Sequence, residues 1–236
     1  MTSAERFAQV SGSYWRSLFP KLEHFVRFSN GAASRYTEAV SFTSDSNRHI
    51  VVSETAFVLW LWHLTGREGD FDLAFAEASA RLSVVWDQGD FSPTLAMDER
   101  ADVSAILENM LAIERWRGLR DIEGEPKLPG CGVISGGSPD FYGVLPGAVR
   151  NLTVVGEFKT VNRSFRSVDY RQLVVYLVLH WAATRELLDV LWLANPLQGT
   201  LVPIDVDSFF WLTRSQGADE AVAELANEWA SPGVSN

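Results

Sequence analysis

Three polar residues in the second half of the chain have the types and spacing of a hydrolytic metal site. Asp140 stands at the start of one predicted strand, and Glu157 and Lys159 end the next long strand. Residues two apart on a strand face the same side, so Glu157 and Lys159 share a face while Phe158 points into the opposite layer. The two carboxylates repel each other unless a hard, oxygen-preferring cation such as Mg²⁺ or Mn²⁺ lies between them. With a lysine to orient or activate a water, this set suits hydrolysis of a phosphodiester.

These residues belong to a predicted succession of strands and helices that starts near residue 98. The pattern predicts a helix over 98–117, strands over 130–135, 139–145 and 152–159, a helix over 168–185, and strands over 187–193 and 201–204. Gly136 and Gly137 indicate a hinge or turn, and Pro146 and Gly147 a further turn. This order predicts an α/β fold with a mixed central sheet flanked by helices.

The first 97 residues are predicted to be mainly helical, over 14–28 with a break at Pro20, from Ser53 to about residue 64, and over 71–86. Ser53 is the expected N-cap of the second helix, because its hydroxyl can accept a hydrogen bond from the first turn. No clear linker precedes residue 98. The predicted organisation is therefore a helical N-terminal region (1–97) packed on the core, the core itself (98–215), and a C-terminal helix and tail (216–236).

The helix predicted over 98–117 carries an acid on its apolar side. Its apolar residues recur at three- and four-residue spacing: Val103, Ile106, Leu107, Met110 and Ile113. At about 100° per residue, Glu114 falls near the centre of this stripe and Glu108 falls toward solvent. An acid on a buried face is costly unless it is paired or binds a metal, and this singles out Glu114.

A further motif, Gln172-x-x-x-Tyr176, opens the helix that follows the Glu-x-Lys strand. Together with residues 138–141 (Ser-Pro-Asp-Phe) and 154–160 (Val-Val-Gly-Glu-Phe-Lys-Thr), it resembles the signature of the PD-(D/E)XK nuclease superfamily. The Gln-x-x-x-Tyr part is similar to that of the RecB-like and lambda-exonuclease-like branch. The resemblance covers roughly residues 98–205, and it implies a restriction-endonuclease-like core with a helical N-terminal extension.

The resemblance implies a set of metal ligands. Asp140 and Glu157 would bind Mg²⁺ or Mn²⁺ through their side chains, and the backbone carbonyl of Phe158 would be a further ligand. The family often has an acid on the helix before the first strand, and Glu114 is the candidate by position. His24, His49 and His63 and the single cysteine, Cys131, show no zinc-ligand spacing.

The resemblance also implies how the remaining motif residues act. Lys159 would position the attacking water, and Gln172 and Tyr176, one helical turn apart, would hold Lys159 or a DNA phosphate. The implied activity is that of a metal-dependent deoxyribonuclease. Nothing in the sequence separates DNA from RNA as the substrate.

The charge distribution places the basic residues near these motifs. The net charge is −10 and the pI about 4.9, which argues against generic nucleic-acid binding. Residues 141–171, however, carry five bases against two acids. The arginines of this stretch are the expected phosphate contacts: Arg150, Arg163, Arg166 and Arg171.

The same chain permits a second function, a non-catalytic protein- or nucleic-acid-binding module on a nuclease-like fold. The overall acidity and the long helical N-terminal region favour it, with a protein partner or a second copy bound through the N-terminal helices. The sequence shows no apolar run of about 18 residues and no secretory leader. The expected location is therefore the cytoplasm, or the nucleus in a eukaryote, with no membrane partner.

Overall fold

The computed structural model of the protein describes residues 1–44, 48–83 and 94–231. Its helices are α1 (Ala4–Ala8), α2 (Gly12–Leu18), α3 (Leu22–Gly31), α4 (His49–Leu64), α5 (Phe71–Ser83), α6 (Met97–Arg115), α7 (Ser167–Thr184), α8 (Val206–Arg214) and α9 (Ala218–Ala230). Its strands are β1 (Thr2–Ser3), β2 (Ser34–Arg35), β3 (Arg120–Gly124), β4 (Leu128–Cys131), β5 (Ile134–Gly137), β6 (Phe141–Leu145), β7 (Leu152–Phe158), β8 (Val190–Asn195) and β9 (Thr200–Asp205).

The described residues form a main sheet of six strands in the order β2-β9-β8-β7-β6-β3. β7 and β8 run parallel, and the other neighbouring strands run antiparallel. α7 connects the parallel pair, because parallel neighbours need a crossover. A smaller sheet, β1-β5-β4, packs beside α7. The predicted α/β class with a mixed sheet flanked by helices is confirmed.

Each face of the main sheet packs on its own set of helices. Val155 and Leu191 join a core with α1, α2, α3, α7, α8 and α9. Val154 and Trp192 join a second core with α4, α5 and α6. Because side chains alternate along a strand, the end of β7 presents successive residues to opposite layers. Phe158 packs against Trp60 of α4, with ring centroids 5.1 Å apart, while its neighbours in sequence face α7.

The N-terminal region contributes to both sheets and to both cores. β1 pairs in parallel with β5, and β2 pairs with β9 at one edge of the main sheet. α1, α2 and α3 lie on the α7 side, whereas α4 and α5 lie on the opposite side with α6. The described part of residues 1–97 therefore packs on both faces of the sheet that carries the motifs.

Several local predictions are wrong in their boundaries. α4 begins at His49 because the buried side chains of Val51 and Val52 extend its apolar face, so Ser53 lies inside the helix and does not cap it. Gly136 and Gly137 belong to β5 and form no turn. β3 and α8 were not predicted. Residues 84–86 of the helix predicted over 71–86 lie outside the described residues. Among the described helices, none combines the length and apolar character needed to span a membrane.

Candidate active site

The carboxyl end of β7 brings Asp140 and Glu157 together. β6 and β7 form an antiparallel hairpin in which Phe141 lies opposite Gly156. Asp140, one residue before β6, therefore lies opposite Glu157, and its Oδ2 atom accepts a 2.6 Å hydrogen bond from the backbone N–H of Phe158. Two predicted site residues, 17 positions apart in the sequence, thus meet at one end of the sheet.

Lys159, Gln172 and Tyr176 join this pair through hydrogen bonds. The Nζ atom of Lys159 donates to Oε1 of Glu157 at 2.9 Å and to Oε1 of Gln172 at 2.8 Å. The Nε2 atom of Gln172 donates to Oε1 of Glu157 at 2.8 Å and to the hydroxyl of Tyr176 at 2.7 Å. Gln172 and Tyr176 are four residues apart on α7, so they lie on one helix face. The structure brings all of these predicted residues together.

Burial controls the electrostatics of the site. Burial raises the pKa of Asp140 well above its usual range, and the neighbouring charge of Glu157 raises it further. Burial also raises the pKa of Glu157, although Lys159 opposes the shift. Burial alone would lower the pKa of Lys159, but the carboxylates of Glu157 and Asp140 outweigh it and raise that pKa. Burial therefore disfavours charge on the two carboxyl groups, whereas their ionised forms favour the charged form of Lys159.

One oxygen of this pair has no hydrogen-bond partner. The Oε2 atom of Glu157 is buried and, among the described residues, has no hydrogen bond of normal geometry, although the backbone N–H of Asp140 lies near enough to this carboxylate to lower its pKa slightly. Buried polar atoms in folded proteins are nearly always paired, and an orphan calls for an explanation such as a bound ion. The carboxylate of Glu157 is therefore held on one oxygen and open to a cation on the other.

A cleft of about 840 Å³ opens beside Asp140 and Glu157 and is also lined by Glu54, Arg81 and Glu125. The Nε atom of Arg81 donates to Glu54 at 2.6 Å, and its two terminal nitrogens donate to Glu125 at 3.1 and 2.5 Å. Among the described residues that line the cleft, four are acids and Arg81 is the only lysine or arginine. The cleft is therefore rich in acidic side chains, and burial raises the pKa of three of them, Glu54, Asp140 and Glu157.

Glu54, Arg81 and Glu125 were missed by the sequence analysis. Burial raises the pKa of Glu54 even though Arg81 opposes the shift, so this carboxylate shares the electrostatics of the acidic pair. The signal for Glu54 was present, because a carboxylate within a very apolar helical run is costly unless it has a partner. Arg81 and Glu125 stand in no motif. The packing of α5 against α4 brings Arg81 to the cleft, and Glu125 directly follows β3, which also packs against α4.

The expected place of Glu114 at the site requires a correction. Its carboxylate accepts a 3.0 Å hydrogen bond from the indole Nε1 of Trp60 and lies 3.6 Å from Nε2 of His63. It does not line the cleft. The helical stripe indicated the correct side of α6, but a tryptophan rather than the acidic pair lies opposite. The helical acid that does line the cleft is Glu54, on α4.

Arg150 lies at the opposite end of β7 from the acidic pair, a separation of about 20 Å along the strand. It pairs there with Asp189 through both terminal nitrogens. Arg150, expected as a phosphate contact, thus lies away from the acidic pair and is paired with an acid of the protein. Arg166, by contrast, is exposed in the loop that leads from β7 into α7.

Arg163 and Arg171 are paired with acids of the protein. Arg163 donates to Asp169 at 2.8 Å, and the same carboxylate accepts from the backbone N–H that opens α7. Arg171 lies 3.8 Å from Glu23 and over the ring of Trp15. Both arginines therefore fasten α7 and the loop before it, which limits their freedom to bind phosphate.

The donor set fits a hard cation. In the part of the chain that the structure describes, no three His, Cys, Asp or Glu side chains are grouped so as to hold a metal. Mg²⁺ commonly needs only one or two protein carboxylates, with water and substrate phosphate completing its octahedron. Asp140 and Glu157 are two neighbouring carboxylates, and Oε2 of Glu157 has no partner among the described residues, so they meet that requirement, whereas a structural zinc site needs four protein ligands.

Comparison with known proteins assigns no family to this chain. The sequence matches no protein-family model and no curated protein. Its function has to be inferred from the geometry and electrostatics of the site.

Proposed function

We propose that this protein is a metal-dependent nuclease that hydrolyses phosphodiester bonds in DNA and has a restriction-endonuclease-like core. The main support for this proposal is the hydrogen bonding of the Glu157 carboxylate. Its carboxylate is buried beside Asp140, with Oε1 held by Lys159 and Gln172, and Oε2 without a partner among the described residues. Leaving a buried carboxylate oxygen unpaired costs about 1–3 kcal/mol or more, and a cation would remove that cost.

The order of elements supports the proposed type of core. Asp140 precedes β6, Glu157 and Lys159 flank the last residue of β7, Gln172 lies in the first half of α7, and Tyr176 lies at its middle. The resemblance implies this order. β8 then returns parallel to β7, so the motif residues collect at one end of a parallel pair, where α/β sheets commonly bind ligands.

Asp140 and Glu157 would hold Mg²⁺ or Mn²⁺, with the backbone carbonyl of Phe158 as the third protein ligand. When bound, the ion supplies Lewis acidity, which lowers the pKa of a water and offsets charge on the phosphate. Among the residues of this chain, Lys159 would orient that water, because its ammonium donates to Oε1 of Glu157 at 2.9 Å. The charges of Glu157 and Asp140 raise the pKa of Lys159, which favours the charged donor form in this role.

The acidic cleft makes substrate binding depend on the metal. A DNA strand is a polyanion, and the cleft presents Glu54 and Glu125 beside the acidic pair, with Arg81 already paired to both. Phosphate would be repelled unless a divalent cation offset this charge. We expect DNA affinity to require a divalent cation, including Ca²⁺ where it supports binding without cleavage.

The test is cleavage of linear, circular and single-stranded DNA, with RNA in parallel, in EDTA, Mg²⁺ or Mn²⁺. We expect cleavage only with metal, and its loss in Lys159→Ala, because that variant loses the donor to Glu157 and Gln172. The matched control is Lys21→Ala, whose ammonium donates to Ser215 on the surface at 3.1 Å. The circular substrate separates endonuclease from exonuclease action.

The pairing of the predicted phosphate-binding arginines favours the alternative, a non-catalytic binding module. Arg150, Arg163 and Arg171 all contact acids of the protein itself. If no substrate is cleaved under any metal condition, the nuclease proposal fails. Binding of a partner that survives Asp140→Ala would then establish the module.

A further inference from the structure

The first residues of the chain reach the acidic site. The backbone N–H of Thr2 donates to the carbonyl of Val133 at 2.9 Å, which fixes β1 on β5. α1 follows at once and packs against α7. This arrangement places the carboxylate of Glu5 at Tyr176, whose hydroxyl donates to Oε1 of Glu5 at 3.0 Å. Glu5 belongs to no motif, and nothing in the sequence pattern indicated it.

Gly137 allows this close approach. A Cβ atom at Gly137 would lie 2.7 Å from Cβ of Ala4 and 2.8 Å from Cε1 of Tyr176, closer than real Cβ contacts. The absence of a side chain there lets β5, α1 and α7 converge on the tyrosine ring. The N-terminal segment is thus seated at the site by the packing of three elements.

Hydrogen bonds link Glu5 to Tyr176, Tyr176 to Gln172, and Gln172 to Lys159. In this chain, the donor and acceptor roles of each group depend on those of its neighbours. An ionised carboxylate only accepts, so the single hydroxyl proton of Tyr176 is directed to Glu5. The hydroxyl oxygen is then an acceptor for Nε2 of Gln172. The amide of Gln172 is thereby oriented with its oxygen toward the ammonium of Lys159.

The Gln172 amide is also held from its other side, because its Nε2 donates to Oε1 of Glu157 and its Oε1 accepts from Lys159. Without Glu5, the hydroxyl proton of Tyr176 is free to turn toward Nε2 of Gln172, and the hydroxyl is then no longer a fixed acceptor for that amide. Glu5 thus secures one of the two hydrogen bonds that Nε2 of Gln172 donates. The carboxylate of Glu5 also acts on the acidic pair, since its charge contributes to the raised pKa of Glu157 after burial.

We propose that Glu5 is a positioning residue that fixes the Gln172 amide, and through it the Lys159 ammonium, for the reaction assigned under the proposed function. The inference rests on that function for its consequence in catalysis. The dependence of the Lys159 environment on Glu5 can be measured whether or not the protein cleaves DNA. Glu5, on α1, therefore contributes to the site through Tyr176.

The primary test is spectroscopic and needs no substrate. The chain has three lysines, Lys21, Lys127 and Lys159, so protein labelled with ¹³C at the lysine ε-carbon gives three signals, assigned with Lys159→Arg. At constant pH, we expect Glu5→Ala to shift or broaden the Lys159 signal and leave the other two in place. Glu5→Gln, which keeps an acceptor oxygen, should restore most of the wild-type position.

The matched control is a second tyrosine–glutamate pair. The hydroxyl of Tyr14 donates to Oε1 of Glu228 on α9 at 3.2 Å, outside the hydrogen-bond chain of the site. Glu228→Ala should therefore move no lysine signal, although it removes the same kind of bond. If Glu5→Ala does not fold, Tyr176→Phe breaks the chain from the other side by removing only a hydroxyl, and should shift the same signal.

The kinetic test separates positioning from general destabilisation. We expect Glu5→Ala to lower kcat by roughly 10- to 100-fold, the range for groups that orient site residues from behind, with KM unchanged and Glu228→Ala as active as wild type. An unshifted Lys159 signal together with full kcat in Glu5→Ala would overturn the inference while leaving the nuclease intact. If the wild type cleaves nothing, the nuclease proposal fails, and the lysine signal alone decides whether Glu5 positions Lys159.

Discussion

An ion pair between a carboxylate and a basic side chain lies at each end of β7, and the two pairs differ in how fully the carboxylate is hydrogen bonded. At the amino end, the carboxylate of Asp189 accepts hydrogen bonds from Arg150 and from both the backbone N–H and the hydroxyl of Thr153, at 2.8 and 3.0 Å. Burial alone would raise the pKa of Asp189, but these hydrogen bonds outweigh it and lower that pKa. At the carboxyl end, Glu157 keeps an orphaned oxygen and a raised pKa beside a second carboxyl group.

The difference shows how a structural ion pair can be told from a functional one. A pair whose every acceptor is satisfied stabilises the charged form and holds two segments together. A buried carboxylate that lacks hydrogen-bond donors lowers the free energy of unfolding. Such a carboxylate is therefore typical of a site where another group binds. Each end has a carboxylate paired with a basic side chain, and the two ends differ in how fully that carboxylate is hydrogen bonded and in the second carboxyl group, Asp140, at the carboxyl end.

The largest expected effect comes from Asp140→Asn, which tests this distinction directly. The amide keeps an acceptor for the backbone N–H of Phe158 and removes one of two repelling charges. We expect metal-dependent cleavage to be lost. In EDTA, we expect the free energy of unfolding to rise by about 0.5–2 kcal/mol, the usual range when a functional strain is relieved.

Cleavage assays and urea unfolding in EDTA measure the two halves of that prediction. The control is Asp207→Asn, an exposed aspartate in the first turn of α8. A less stable Asp140→Asn protein would show that the charge at Asp140 is already compensated within the fold. The contrast between the two ends of β7 would then not hold.

The same contrast explains what the sequence could and could not predict. Alternation along β7 and the hairpin before it sufficed to place Asp140, Glu157 and Lys159 together, because these are contacts of adjacent strands. Glu5 and Arg81 reach the site through packing between elements far apart in sequence, which leaves no periodic signal. Residues 120–124 were not predicted as a strand because their composition is mainly polar, and their pairing with β6 is tertiary.

Glu114 and Arg150 show a second limit of the sequence analysis. Each has the correct residue type near the motifs, and each is satisfied by a partner that no local pattern reveals, Trp60 and Asp189 respectively. An apolar stripe on a helix, or a count of charges along a segment, predicts which side of an element a residue faces. It does not predict which residue of another element lies opposite. The functional role of such a residue depends on that neighbour.

Asp189→Asn should have a smaller effect, confined to stability. The variant loses charge-assisted hydrogen bonds from Arg150 and Thr153, and we expect a loss of about 1–3 kcal/mol with cleavage unchanged. The folded pKa of Asp189 is lower than its unfolded value of about 3.9. Its contribution is therefore fully present above that value and is lost as the pH falls through the folded pKa.

Urea unfolding between pH 7 and pH 2 measures this contribution. The difference between wild type and Asp189→Asn should be constant near neutral pH and shrink in the acid range. A difference that grows toward low pH would have the wrong sign for a lowered pKa. Loss of cleavage in this variant would show that the amino end of β7 takes part in the reaction.

The smallest expected effect is that of Arg150→Ala. The Arg150 side chain is 65% exposed, so solvent screens its ion pair with Asp189 and its removal should change the free energy of unfolding little. Because Arg150 lies at the far end of β7, its removal should leave DNA affinity and the dependence of that affinity on salt unchanged. Arg166→Ala, at the end that carries the acidic pair, should lower the slope of log K against log salt by about 0.9, the value for one lost phosphate contact.

The comparison of these two arginines defines the extent of the DNA footprint. Binding is measured by fluorescence anisotropy in Ca²⁺ over a range of salt concentrations, so that cleavage does not interfere. An equal change of slope in both variants would extend the footprint along the whole of β7 and would make the Arg150–Asp189 pair part of the binding surface. A change in Arg166→Ala alone would confine phosphate binding to the end of the sheet where the carboxylates are left short of donors.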